Sequence, residues 1–173
     1  TEHREAILAA TESLATLGTR ARHIDHLLSK NPQPSTVDLV DRIDAVLCAV
    51  ETDGVTIEVS APDAVTVETD AEILTAVLRS PLENAVTYAE DRVTVSVASH
   101  ESGCTLEIGD DGPGIPAAEL EPLATERETP LQHSRGLGLW ELKWGVDKLG
   151  GELSFTVENG TTVVIRLPNL DAT

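Results

Sequence analysis

The chain has 173 residues, 40% of them hydrophobic, which is enough to bury one core of ordinary size. It carries 30 Asp and Glu residues against 12 Lys and Arg, a formal net charge of −18. This balance argues against direct nucleic-acid binding, which needs a basic surface. No apolar run is long enough to span a bilayer and no signal peptide is recognisable, so we expect a soluble, cytoplasmic piece without membrane contact of its own.

The N-terminal segment predicts one long helix, from about Glu2 to Ser29. Apolar residues recur at spacings of three and four from Ile7 to Leu28, which is a heptad seam over three repeats. A seam of this kind needs a partner helix to cover it. Residues 1–30 are therefore expected to be an element of their own, whose seam pairs with another helix in a non-native way, packs back on the globular part or frays.

Short strands and a helix are predicted next. Val37–Leu39 is expected to be an edge strand leading into a helix that includes Ile43, Val46, Leu47 and Val50. Val55–Val59 and Ala64–Val67 are predicted to pair as a hairpin around Ala61-Pro62-Asp63.

A helix with one apolar and one polar edge should begin after Asp70. Its apolar face comprises Ile73, Leu74, Val77, Leu78, Leu82 and Ala85. Ser80, Asn84 and Thr87 share a polar stripe at i, i+4 and i+7, which could line a ligand. The amide oxygen of Asn84 is a suitable ligand for Mg²⁺.

A second hairpin, Val93–Ser99 with Cys104–Ile108, leads to the segment Asp110-Asp111-Gly112-Pro113-Gly114-Ile115-Pro116. The alternating pattern places Asp110 at the end of a strand, where its carboxylate can point into a cleft. Gly112 and Gly114 permit an approach to the backbone that a Cβ would block, which suits a flat base.

Gly136 and Gly138 precede an apolar stretch at helical spacing from Leu139 to Leu149. A glycine-rich turn that enters a helix N-terminus favours phosphate, because free N–H groups and the positive end of the dipole meet there. Beyond Gly150-Gly151, strands are predicted over Glu152–Val157 and Thr161–Leu167.

In this order, the three polar segments resemble the N, G1 and G2 boxes of the histidine-kinase branch of the GHKL ATPases. The resemblance covers residues 35–168 and implies an α+β fold, a two-layer sandwich with a mixed, mostly antiparallel sheet covered by helices on one face and preceded by the long helix. It implies that Asp110 binds the adenine amino group and that Asn84 holds Mg²⁺ against the phosphates of ATP. The full set of nucleotide contacts implied is Asn84, Tyr88, Asp110, Gly112, Gly114, Ile115, Arg135, Gly136, Leu137, Gly138 and Leu139, with Asn84 and Glu83 in catalytic roles.

The same resemblance implies a two-component sensor kinase. The long helix is similar to the second helix of a dimerisation and phosphoacceptor hairpin, and none of the five histidines fits the phosphoacceptor pattern. The implied partners are a phosphoacceptor helix elsewhere in a longer, homodimeric parent chain, which could be membrane-bound, and a response regulator. The acidity, and a short lid (Pro116–Arg135) leading into Gly-Leu-Gly-Leu-Trp, also resemble kinases of salt-loving archaea.

Four departures from the family pattern predict weaker nucleotide handling. Ser80 stands where the family has Asn or a catalytic Glu, Thr87 where it has a phosphate-contacting Lys, and Ser134 where it has the first glycine of the lid motif; Pro81 interrupts the helix. Arg135 or His133 can replace the missing positive charge, or both are solvated loop residues, which is the preferred interpretation.

Two other hypotheses stay open, and the departures support only the first. The first is a degenerate, non-catalytic module that binds nucleotide or docks onto a partner. The second is an autonomous ATP-hydrolysing clamp, disfavoured because its catalytic Glu would fall at Ser80. The two cysteines, Cys48 and Cys104, are expected to be reduced core residues that bind no metal.

Overall fold

The computed structural model describes residues 2–125 and 134–170. The chain divides into two compact units, Thr1–Asn31 and Pro32–Thr173. The first unit consists of helix α1 (Glu2–Ser29), whose bounds agree with the sequence prediction. Ile7 and Leu14 of its apolar seam are each more than half exposed.

The second unit contains four helices and seven strands within the described residues. In chain order they are β1 (Ser35–Asp38), α2 (Leu39–Ala49), β2 (Thr56–Ser60), β3 (Thr66–Thr69), α3 (Ala71–Tyr88), β4 (Arg92–His100), β5 (Gly103–Asp110), α4 (Ala117–Thr125), α5 (Ser134–Lys148), β6 (Glu152–Thr156) and β7 (Thr161–Pro168). None of the helices in the described part of the chain has the length and apolar character of a membrane span.

The main sheet has the strand order β2-β4-β5-β7-β6, with β2 parallel to β4 and every other pair antiparallel. Alternate residues of the central strands are buried, as Val93, Val95 and Val97 are in β4, while their neighbours are more accessible. Because only one side of each strand is buried, the helices cover one face of the sheet, which confirms the predicted two-layer α+β fold.

The predicted hairpin between Val55–Val59 and Ala64–Val67 is wrong. β2 lies at the edge of the main sheet, and β3 instead pairs antiparallel with β1 in a separate two-stranded sheet. A strand pattern predicts an extended segment but does not identify its partner, and the intervening Ala61–Val65 is long enough to cross between sheets. The first strand also ends one residue earlier than predicted, because Asp38 accepts hydrogen bonds from Val40 N and Asp41 N as the N-cap of α2.

Helix α3 has the apolar face that its sequence predicts. Asp70 caps its N-terminus by accepting hydrogen bonds from the N–H groups of Glu72 and Ile73, both at 3.0 Å. The second carboxylate oxygen of Asp70 accepts a 2.7 Å bond from Gln33 N, which fixes the start of the helix to the preceding linker. The helix continues through Pro81 to Tyr88.

The cysteines differ in their surroundings. Cys104 is buried in β5, and burial raises the pKa of its thiol from 9.0 to about 11. Cys48 is exposed, so its prediction as a core residue is wrong. It lies on the side of α2 opposite the buried residues Ile43 and Val46, which helical periodicity does not resolve for a small apolar side chain.

Candidate nucleotide-binding site

Just after β5, the backbone leaves no room for a side chain at position 112. Asp110 is the last residue of the strand, and its Oδ1 accepts a 2.9 Å hydrogen bond from Gly112 N. A Cβ at Gly112 would lie 2.1 Å from Tyr88 O and 2.9 Å from Asp110 Oδ1. Glycine is therefore required here because the loop approaches the last residue of α3 directly.

The rest of the loop is fixed to β7 and to the helices. Gly114 has a φ of +84°, and a Cβ there would lie 2.6 Å from Val157 Cγ1. Ile115 N donates a 2.9 Å hydrogen bond to Thr161 Oγ1. The Ile115 side chain belongs to an apolar cluster whose other members are Leu120, Leu123, Leu139, Trp140, Trp144 and Phe155. The loop thus has a defined shape before any ligand binds.

Asn84 lies one turn before the C-terminal end of α3, the end that the Asp110 loop contacts. Its Nδ2 is buried and has no hydrogen-bond partner among the described residues. A buried amide group without a partner costs free energy, so a ligand atom at this position would be stabilised. Rotation of the amide by 180° places Oδ1 in the same position, where it can bind a cation.

Ser80 has a structural contact that the sequence did not indicate. Its buried hydroxyl donates a 2.6 Å hydrogen bond to Gly138 O across the interface between α3 and α5. A Cβ at Gly138 would lie 3.0 Å from Ser80 Oγ, so a larger residue at position 138 would crowd this hydrogen bond. Ser80 therefore joins the two helices, in addition to being unable to act as a carboxylate base.

The structure separates Glu83 from the polar stripe. Glu83 lines a cavity of about 290 Å³ between α2 and α3, together with Arg42, Thr75 and Arg79. Ser80, three residues earlier on α3, instead bonds to Gly138 O of α5, so the two side chains contact different neighbouring helices. Thr87, the third member of the stripe, is exposed.

The predicted glycine-rich turn before the last helix is wrong, because α5 already begins at Ser134 and contains both Gly136 and Gly138. Glycine lowers helix propensity without preventing helix formation, and here contact with α3 compensates. The free N–H groups at the start of α5 therefore belong to residues 134–137. Leu137 and Leu139 are buried. The Arg135 side chain, His133 and the lid residues 126–133 lie outside the described residues.

The sequence did not predict a structural role for Asp111. Its Oδ1 accepts hydrogen bonds from the backbone N–H groups of Glu90, Asp91 and Arg92, at 2.9, 3.1 and 3.1 Å. These donors, led by Arg92 N–H and Asp91 N–H, hold the pKa of the Asp111 carboxyl below its usual range. The tendency of Asp to accept backbone hydrogen bonds in turns was the available signal, but it does not reveal a partner twenty residues away.

Residues 69–171 match the family described as histidine kinase-, DNA gyrase B-, and HSP90-like ATPases. The match covers more than half of the chain, and the chain therefore belongs to this family of ATP-binding domains. The mycobacterial sensor histidine kinase MprB is 30% identical and superimposes with a TM-score of 0.67, over 78% of this chain and 97% of that structure. Within the family, the chain is thus a histidine-kinase ATP-binding catalytic domain.

Two sensor proteins are similar in sequence. KdpD of Mycobacterium tuberculosis is 33% identical over 118 residues, which are 64% of this chain and 14% of KdpD. The sensor kinase CarS of Pseudomonas aeruginosa is 33% identical over 114 residues, 63% of this chain and 25% of CarS. The chain therefore spans a minor part of these relatives. The histidine kinase AdeS of Acinetobacter baumannii shares the fold, with a TM-score of 0.77 at 19% identity.

Proposed function

We propose that this domain binds Mg·ATP and makes its γ-phosphoryl group available to a histidine outside the described fold. The observation that carries the proposal is the Asp110 loop. A carboxylate lies at the end of a strand, and the neighbouring Gly112 packs so closely against Tyr88 O that a Cβ would clash with it. This arrangement fixes the Asp110 carboxylate, a hydrogen-bond acceptor, next to the C-terminal end of α3. The exocyclic amino group of an adenine ring can donate to that acceptor, and Ile115 and Tyr88 are the proposed neighbours of the ring.

The phosphates are assigned to the opposite side of the same region. The unpartnered amide of Asn84 supports a metal-binding role, and Mg²⁺ bound there would neutralise charge on the phosphate oxygens. The N–H groups of residues 134–137 at the start of α5, including Arg135 and Gly136, supply the positive end of a helix dipole. Gly138, Leu137 and Leu139 position that helix through their contacts with α3 and the apolar cluster. Transfer would then depend mainly on positioning and electrostatic stabilisation.

No carboxylate base is assigned on α3. The Ser80 hydroxyl donates to Gly138 O, and Glu83 lines the cavity beside α2. Neither residue is therefore assigned as a base that activates water. This arrangement favours a kinase over an autonomous ATP-hydrolysing clamp, because a kinase transfers to a nucleophile supplied by another element. Glu83 is accordingly a weaker candidate for a catalytic role than Asn84.

The experiment that tests the proposal is calorimetric titration of Mg·ATP into the chain in molar KCl, compared with Asp110→Ala. We expect saturable binding that Asp110→Ala abolishes and Asp91→Ala, an exposed carboxylate nearby, leaves unchanged. Asn84→Ala should reduce Mg·ATP binding while leaving adenosine binding intact, since only the phosphates need the metal. A folded wild-type chain without affinity for Mg·ATP would favour the alternative, a degenerate module that acts through a protein partner.

The remaining assignments concern a longer protein. We propose that residues 1–30 form the second helix of a dimerisation and phosphoacceptor hairpin and that 35–168 form the catalytic domain, with a homodimer and a response regulator as partners. The exposure of Ile7 and Leu14 on α1 supports a partner helix. A salt-adapted cytoplasm is proposed from the net charge of −18.

A further inference from the structure

The Asp111 carboxylate joins two segments that lie next to the proposed adenine-binding carboxylate of Asp110. One is the turn that follows α3, whose successive N–H groups at 90, 91 and 92 all point at Oδ1. The other is the Asp110 loop, to which Asp111 itself belongs. The backbone adds a second connection, because Asp111 N donates to Arg92 O at 3.3 Å. Together these contacts form a closed ring of hydrogen bonds between the two segments.

The two neighbours of Asp111 are the residues whose geometry matters most for the base. Asp110 precedes it and carries the carboxylate assigned to the adenine amino group. Gly112 follows it and lies against Tyr88 O, the carbonyl of the last residue of α3. A displacement of Asp111 would therefore move both groups relative to α3, which also carries Asn84.

We propose that Asp111 is a positioning residue for nucleotide binding: it holds the adenine-binding segment in register with the helix that carries the proposed metal ligand. The proposal rests on the proposed function of the same site. The Oδ1 of Asp111 already accepts from three backbone donors, so the proposed role of this oxygen is to hold the loop and not to bind the nucleotide. It acts by fixing where the Asp110 carboxylate lies and how closely Gly112 approaches α3.

An oxygen acceptor at this position is sufficient for the role, and a negative charge strengthens it. Hydrogen bonds from N–H groups to a carboxylate are stronger than those to a neutral amide oxygen. Asparagine keeps an acceptor of the same length, whereas alanine leaves three N–H groups without their common partner. The Asp111→Asn variant should therefore retain most of the function that Asp111→Ala loses.

The test compares wild type, Asp111→Ala and Asp111→Asn in calorimetric titrations with adenosine, ADP and Mg·ATP. We expect Asp111→Ala to weaken binding of all three by roughly tenfold or more. The ratio of the ATP affinity in the presence of Mg²⁺ to that in its absence should be the same as in wild type. Asp111→Asn should bind within about threefold of wild type. Asp91→Ala removes a charge from the same turn without removing the acceptor, and should bind like wild type.

Amide hydrogen exchange in the nucleotide-free proteins separates positioning from loss of fold. In Asp111→Ala, exchange should accelerate at residues 90–92 and at Gly112 while amides of the central strands β5 and β7 stay protected. Unchanged Gly112 exchange, or adenosine affinity equal to wild type in Asp111→Ala, would overturn the proposal. If the wild type binds no nucleotide, the proposed function fails, and the Gly112 exchange still decides whether Asp111 fixes the loop.

Discussion

At the scale of single residues, Ser80 illustrates how a departure from a family pattern can have a structural cause. Its hydroxyl is buried and bonds to Gly138 O at 2.6 Å. We expect Ser80→Ala to lower the free energy of unfolding by about 1 kcal/mol, because one buried hydrogen bond is lost while the carbonyl keeps its place in α5. Urea unfolding at fixed KCl measures the change.

Thr87→Ala is the matched control for Ser80→Ala. Thr87 lies on the same stripe of α3 but is exposed, so its loss should change the free energy of unfolding by less than about 0.5 kcal/mol. Equal effects of the two variants would show that the Ser80 hydroxyl contributes nothing to the contact between α3 and α5.

The two cysteines should react differently with thiol reagents. Cys48 is exposed and should be labelled in the folded protein, whereas Cys104 should be labelled only on unfolding. Because burial raises the pKa of Cys104 to about 11, the folded state disfavours its thiolate. The stability contribution is complete below pH 9 and declines between pH 9 and 11, where the unfolded chain ionises first.

Thermal unfolding between pH 8 and pH 11 tests this pH dependence against Cys104→Ala. The variant should be less stable at pH 8 but should lose less stability between pH 9 and 11 than wild type. Parallel curves for the two proteins would contradict the assigned cause.

At the scale of elements, the contact between α3 and α5 depends on glycine. A Cβ at Gly145 would lie 2.5 Å from Val77 Cγ2, so the helices are closer here than a side chain at position 145 allows without a shift. We expect Gly145→Ala to destabilise the protein by about 1–3 kcal/mol through forced separation of the helices. Chemical denaturation gives the free energy, and Mg·ATP titration should show weaker binding because the start of α5 moves.

Two further variants make the Gly145 result specific. Gly18→Ala is also a helical substitution, but a Cβ there meets nothing within 4 Å, so it should increase the helicity of α1 by circular dichroism. Combining Gly145→Ala with Val77→Ala should cost less than the sum of the two single losses, since the clashing methyl group is removed while Val77→Ala alone already costs core packing. If the losses in free energy of unfolding of the two single variants simply add in the double variant, Val77 is not the group with which the alanine side chain clashes.

At the scale of the whole molecule, the net charge of −18 predicts a strong dependence of stability on salt. Like charges repel in the compact state, and the Debye length falls from about 10 Å at 0.1 M salt to about 3 Å at 1 M. The Tm should therefore rise steeply with KCl up to about 1 M and more slowly beyond it. A Tm independent of KCl between 0.1 and 2 M would argue against salt adaptation.

Local sequence signals predicted most of the elements and the order of the site segments. The helix over Glu2–Ser29, the strand ending at Asp110 and the hairpin at Glu101-Ser102 all followed from periodicity and turn residues. The strand partner of β3 did not, because alternation identifies a strand without its neighbour. The helical start at Ser134 did not either, because low propensity at Gly136 and Gly138 is outweighed by packing against α3.

From the sequence alone, local patterns placed Asp110 at a strand end and Asn84 on a helix, and the order of the three polar segments indicated a GHKL-type fold by resemblance. Only the tertiary structure decided what Ser80, Asp111 and Gly145 do. Each makes its contact with a segment from about 20 to nearly 70 positions away, and no local pattern records such a partner. The approach of α3 to α5 and to the Asp110 loop is what converts the separate segments into one site.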